Sequence, residues 1–151
     1  MKSIFPKLIL VLCLSVSMYS QEKTADDLIK SMKKADITYA QLMTGMSEAL
    51  NNIQSGIIGM NSMLAERGIN FIRTHPAPKQ KPWVIMSNED RESFKSTLLY
   101  FDKKMDEDVL VIENAIIRKD WVLALKGLNT FENTCMACHN SWKNKVKYIM
   151  E

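Results

Sequence analysis

From Leu28 onward, apolar side chains recur every three or four residues: Leu28, Met32, Ala35, Tyr39, Leu42, Met46, Leu50, Ile53, Ile57, Met60 and Leu64. Such a stripe marks one face of an amphipathic helix. No segment sustains the period-two alternation of a half-buried strand, so the expected fold class is all-α. Composition agrees. The 151 residues include only 5 Gly and 4 Pro, too few turn formers for a many-stranded β fold. Leu, Met, Ala and Ile outweigh Val and Thr, which also favours helix. At 46% hydrophobic and 25% charged, the chain reads as one globular domain, neither disordered nor collagen-like.

The first stripe is too long for one helix in so small a domain and must fold back. Asn51-Asn52-Ile53-Gln54 resembles a capping start, with Gly45 upstream and Ser55-Gly56 after it, so the bend is expected near residues 47–53. The second helix then ends around Phe71–Arg73. His75 to Met86 holds three of the four prolines and forms the one long loop. Ser87-Asn88-Glu89-Asp90 reads as a capping box opening a third helix, whose stripe is Phe94, Leu98, Phe101, Met105, Val109, Ile112 and Ile116. Arg118-Lys119-Asp120 makes a tight turn with Asp120 as cap. The last stripe runs Trp121, Leu125, Leu128, Phe131, Cys135, Cys138, Trp142 and Val146. Four helices joined this way predict an antiparallel up-down four-helix bundle.

Residues 1–20 read as a targeting segment. Lys2 and Lys7 flank the start of an apolar run from Leu8 to Val16, and small residues follow at Ser15, Ser17 and Ser20. This is the pattern of a cleaved secretory signal peptide, and the run is short of the ~20 residues of a membrane span. Cleavage after Ser20 leaves 21–151 as the folded domain; cleavage after Ser17 is the competing choice. A lipid anchor on Cys13 fits less well, because Leu12 sits where a small residue is wanted. Without Lys2 and Lys7, the formal charge of +3 falls almost to balance. That argues against nucleic acid or a membrane surface as partner, and export predicts a periplasmic location.

Exported proteins normally use cysteines as disulfides, but Cys135 and Cys138 are only three apart. Cys135-Met136-Ala137-Cys138-His139 is the C-x-x-C-H pattern of covalent c-type haem attachment. Residues three apart share a helix face, so both thiols can reach the two vinyl groups on one porphyrin edge. His139, four after Cys135, projects its imidazole to the iron as proximal ligand. A short disulfide or buried thiol pair leaves His139 unexplained. Zinc needs about four ligands, and the only other histidine is His75. A thioredoxin-like redox pair needs a βαβ setting that is missing here. One covalent haem c is therefore the expected cofactor.

Four helices, a proline-containing loop between the second and third, and the motif near the C-terminus together resemble cytochrome c′. In that family the motif lies in the last helix and is followed by an aromatic and a basic residue; Trp142 and Lys143 stand in those places. Lys119-Asp120-Trp121 resembles the family's Gly-Asp-Leu turn. The resemblance implies one of two distal arrangements. Met32, in the first helix, would be the distal ligand of a low-spin electron carrier. Leu28, one turn earlier, would instead leave an open apolar face that binds nitric oxide or carbon monoxide. It also implies homodimers through the first two helices, and a basic residue near the haem propionates, for which Lys30 and Lys143 are the candidates.

Against these stand plainer readings. Methionine is a common filler of helical cores and the chain has 11, so Met43, Met46, Met60 and Met63 are expected to pack. His75 reads as a surface loop residue. Lys33, Lys34 and Asp106-Glu107-Asp108 read as solvated helix face. No acid–base pair or nucleophile constellation marks a turnover enzyme. The expected function is single-electron transfer with redox partner proteins. Gas binding is the rival, and a bundle whose two thiols merely oxidise is the third class.

Overall fold

A computed structural model of the chain describes residues 24–147; the signal-peptide reading of residues 1–20 lies outside the described residues. The fold is all-α apart from one two-residue strand pair. The helices are α1 (Ala25–Ser31), α2 (Tyr39–Ile58), α3 (Ser62–Thr74), α4 (Arg91–Ile117) and α5 (Trp121–Trp142). Strands β1 (Lys34–Ala35) and β2 (Ala77–Pro78) pair in parallel, Lys34 opposite Ala77 and Ala35 opposite Pro78.

Local chemistry fixes the helix starts. The Thr24 hydroxyl accepts from the Asp27 amide, and Asp26 and Asp27 in the first turn with Lys30 in the last suit the dipole of α1. Thr38 and Gln41 form a reciprocal capping box, the Thr38 hydroxyl accepting from the Gln41 amide and the Gln41 side chain from the Thr38 amide. Asn61 caps α3 and Asp120 caps α5, each side chain accepting from the amide three residues on. At α4 the capping box is displaced. The Ser87 hydroxyl accepts from the Asp90 amide at 3.3 Å, but it closes a separate turn, and the helix begins only at Arg91.

The first stripe therefore yields three helices, not two. It breaks between Met32 and Thr38, where Thr38 restarts the helix. The bend expected near 47–53 is absent, because α2 runs unbroken through those residues to Ile58. The chain reverses instead at Gly59-Met60-Asn61. Met60 takes φ 51°, and the Asn61 amide donates to Gly56 O at 2.7 Å. Gly56 is packing space rather than a turn: a Cβ there would lie 2.4 Å from the Ala65 amide nitrogen of α3. Similarly, a Cβ on Gly68 would lie 2.3 Å from Ala49 O. These two glycines let α2 and α3 approach closely.

α2 packs along α3 and α4 along α5, while α2 also meets α5 and α3 meets α4. Between them lies one apolar cluster, with Ala49, Ile53, Ala65, Ile69, Ile112, Leu128 and Phe131 among its members. A second cluster gathers Ala25 and Ile29 of α1, Ala77, Trp83 and Met86 of the proline segment, Phe94 of α4 and Trp142 of α5. Phe94 and Trp142 meet edge to face with ring centroids 5.3 Å apart. The Lys147 amide donates to Ile85 O and ties down the chain beyond α5. No helix among the described residues is long and apolar enough to cross a membrane.

Several residues depart from their expected settings. Met60 and Met63 are surface residues, 68% and 75% exposed, because the turn carries them outward. Asp108 is buried at 4% rather than solvated. It falls on the inner face of α4, where its carboxylate accepts from Thr134 Oγ1 of α5 at 2.6 Å and from Lys104 Nζ. Lys34 reaches back to donate to Ile29 O at 2.6 Å, so it fastens the end of α1.

Candidate functional site

The Cys135–His139 run lies wholly within α5. Both cysteines are free thiols, each partly buried. One helical turn separates them, and they face different neighbours. Cys135 packs against the first apolar cluster, Cys138 against the second. The pair thus bridges the seam between the clusters. Trp142, one further turn along, closes this face from within the second cluster, while Lys145 Nζ lies 4.9 Å from its ring centroid. The indole N–H of Trp142 is buried and finds no acceptor.

Electrostatics keep the thiols neutral. Burial pushes the Cys135 thiol up to about 11, helped by the neighbouring Cys138, Glu132 and Asp108. Burial also raises Cys138. A cysteine nucleophile needs the opposite, a thiolate favoured near neutral pH. His139 is partly buried, and among the described residues its ring makes no hydrogen bond or ion pair; only its backbone carbonyl is engaged, by the Lys143 amide.

The two distal candidates converge. Leu28 lies within α1, 7% exposed, but Met32 follows that helix as its C-cap instead of lying inside it. Both line an apolar cavity of about 90 Å³ shared with Tyr39, Met43, Met46 and Met105. His75 lines it too, which the loop reading missed. Its Nδ1 stands 3.3 Å from Pro76 O, and since a carbonyl only accepts, a hydrogen bond there requires the tautomer protonated on Nδ1. Tyr39 contributes a buried hydroxyl without a partner, and desolvation raises its ionisation well above the ordinary phenol range. No local sequence signal marks His75; it lies between α3 and β2, and the pairing of β2 with β1 brings it to this cavity. Lys30 and Lys143 both lie on exposed helix ends.

Two thiols one turn apart and an adjacent imidazole with an unengaged ring are the donors a c-type haem needs, and α5 supplies all three; the apolar cavity of Leu28 and Met32 is a separate place, lined by none of Cys135, Cys138 and His139. Space is the tighter constraint. The cavity is well below the ~300–1,000 Å³ typical of organic-ligand sites. A porphyrin bonded to Cys138 would share the space that second-cluster side chains now fill. No family model matches the chain, and comparison with curated proteins and with solved structures gives no match.

Proposed function

We propose that this chain is an exported c-type cytochrome resembling cytochrome c′, in which α2 to α5 form an antiparallel up-down four-helix bundle carrying one covalent haem c. Its function is to exchange single electrons with protein partners in the periplasm. The observation that carries this reading is the placement of Cys135, Cys138 and His139 on a single helix, the thiols free and turned onto apolar clusters.

In this reading Cys135 and Cys138 would hold the porphyrin through thioether bonds, and His139 and Met32 would be the residues that bind its iron. The bound haem supplies a one-electron iron couple. The rest of the chain sets its conditions. Two apolar clusters exclude water, and a thioether ligand favours the ferrous state and raises the potential relative to two imidazoles. With His139 and Met32 both bound, the ligand set would stay the same in the two redox states.

One observation favours a second reading. Leu28 lines the same cavity as Met32. With Leu28 over the iron, the distal position stays open to a diatomic gas. Absorption and EPR spectra of the mature protein, made in a host that attaches haem, separate the two. Electron transfer predicts a low-spin ferric wild type that turns high-spin in Met32→Ala. High-spin spectra in both, shifting with nitric oxide, favour gas binding. A chain that shows no covalent haem stain on a denaturing gel overturns both.

A further inference from the structure

The cavity beside α1 has an unusual donor content for a gap between helices. Met43 and Met46 face it from successive turns of α2, Met105 from α4, and His75 from the end of α3. Thioethers are soft, polarisable donors that select cuprous ion over hard divalent cations, and imidazole suits copper as well. The histidine is prepared for this role. In the tautomer that donates Nδ1–H to Pro76 O, 3.3 Å away, Nε2 keeps a lone pair for coordination, the arrangement by which backbone carbonyls orient metal-binding histidines. At about 90 Å³ the cavity has the volume of roughly three waters, ample for one ion. Met43 is 41% exposed at the rim, which gives an entry path.

We infer that Met43, Met46, Met105 and His75 form a binding site for one soft monovalent cation, cuprous ion being the natural occupant. Thioethers bind without losing a proton and the ion keeps its oxidation state, so no oxidant or co-reactant is required. The site does not rest on the haem reading: its four donors leave out Met32, and it is tested in a protein without haem.

The test uses the mature full chain carrying Cys135→Ala and Cys138→Ala, so that neither thiols nor haem compete for copper. Cuprous ion is titrated without oxygen against bicinchoninate, and the methionine methyl groups are followed by carbon-13 labelling and NMR. The inference expects one equivalent bound, with shifts at Met43, Met46 and Met105 and none at the exposed Met60 and Met63. Met43→Leu with Met46→Leu, which conserves volume, should weaken binding by about tenfold or more, since even outer-shell changes cost ~10–100-fold. His75→Gln should weaken it comparably, and circular dichroism checks that each variant keeps its helices. Absence of binding, shifts spread equally over Met60 and Met63, an unchanged affinity in the folded Leu variants, or equal competition from zinc would each overturn it.

Discussion

Thr134→Val removes the hydroxyl that donates to Asp108 Oδ2 at 2.6 Å across the α4–α5 contact. The carboxylate stays buried and keeps only Lys104. A hydrogen bond to a charged group contributes about 1.5–3 kcal/mol, and a buried acceptor without its donor costs about 1–3 kcal/mol, so a loss of about 2 kcal/mol is expected. Asp108→Leu behaves differently. The Lys104 side chain, already 35% exposed, returns to solvent, and Thr134 keeps its bond to Thr130 O at 3.3 Å. That change should cost about 1 kcal/mol. Combining the two leaves no stranded polar partner, so the double variant should also lose about 1 kcal/mol rather than the sum of about 3. The assay is urea unfolding followed by helical circular dichroism, compared at constant m, in protein without haem so that ligand binding adds nothing. Thr134→Val alone should lower Tm by about 4–8 °C. Losses that add to within about 0.5 kcal/mol would show that the two residues are not coupled and refute the reasoning.

Glycine substitutions should rank by what the new Cβ meets. Gly68→Ala presses on Ala49 O and Ile53 and should cost about 2–3 kcal/mol, whereas Gly45→Ala meets only the tip of the Phe71 ring at 2.6 Å and should cost less; denaturation midpoints give the order. Met60→Gly and Lys119→Gly relieve left-handed backbone at φ 51° and 56° and should each raise stability by about 0.5–1 kcal/mol. With a Cys135 thiol near 11, alkylation of the haem-free chain should keep quickening about tenfold per pH unit beyond pH 9, and a plateau near 9 would contradict the burial argument. The linked effect on stability has the same origin. A raised folded-state value favours the protonated fold below the unfolded thiol's value, so this contribution should fade as pH climbs from about 9 towards 11.

What could be read from the sequence was whatever rested on local chemistry. Asp120 declared itself as a cap, the prolines marked the long connection, and the stripe from Trp121 to Trp142 followed the buried helix face except at Leu125, which is exposed while Ala124 is buried. The missed bend shows where that logic fails. Gly45, Gly56 and the two asparagines look like turn residues, yet Gly56 serves contact with Ala65, and the reversal is made by Met60, a residue type that carries no turn signal. The break before Thr38 was legible in Thr38-Tyr39-Ala40-Gln41 but hidden by an apolar stripe running through Ala35 and Tyr39. Asp108 sits three residues after Met105 and so on the buried face, which its acidic neighbours disguised. For the candidate site, the motif on α5 was visible directly. The company of His75, Met43 and Met46 was not, because only the pairing of β1 with β2 brings the loop after α3 against α1.

The second apolar cluster joins the two ends of the described chain, Ala25 with Trp142, whereas α2–α3 and α4–α5 are neighbours linked by short turns. Contacts between nearby segments close small loops and form early, while a contact spanning the chain must pay its loop-closure entropy first. Until that contact forms, Cys138 lacks its apolar cover, whereas Cys135 rests on the first cluster. The two thiols of one motif are therefore covered by different parts of the fold, and the cover over Cys138 is the one whose closure spans the described chain.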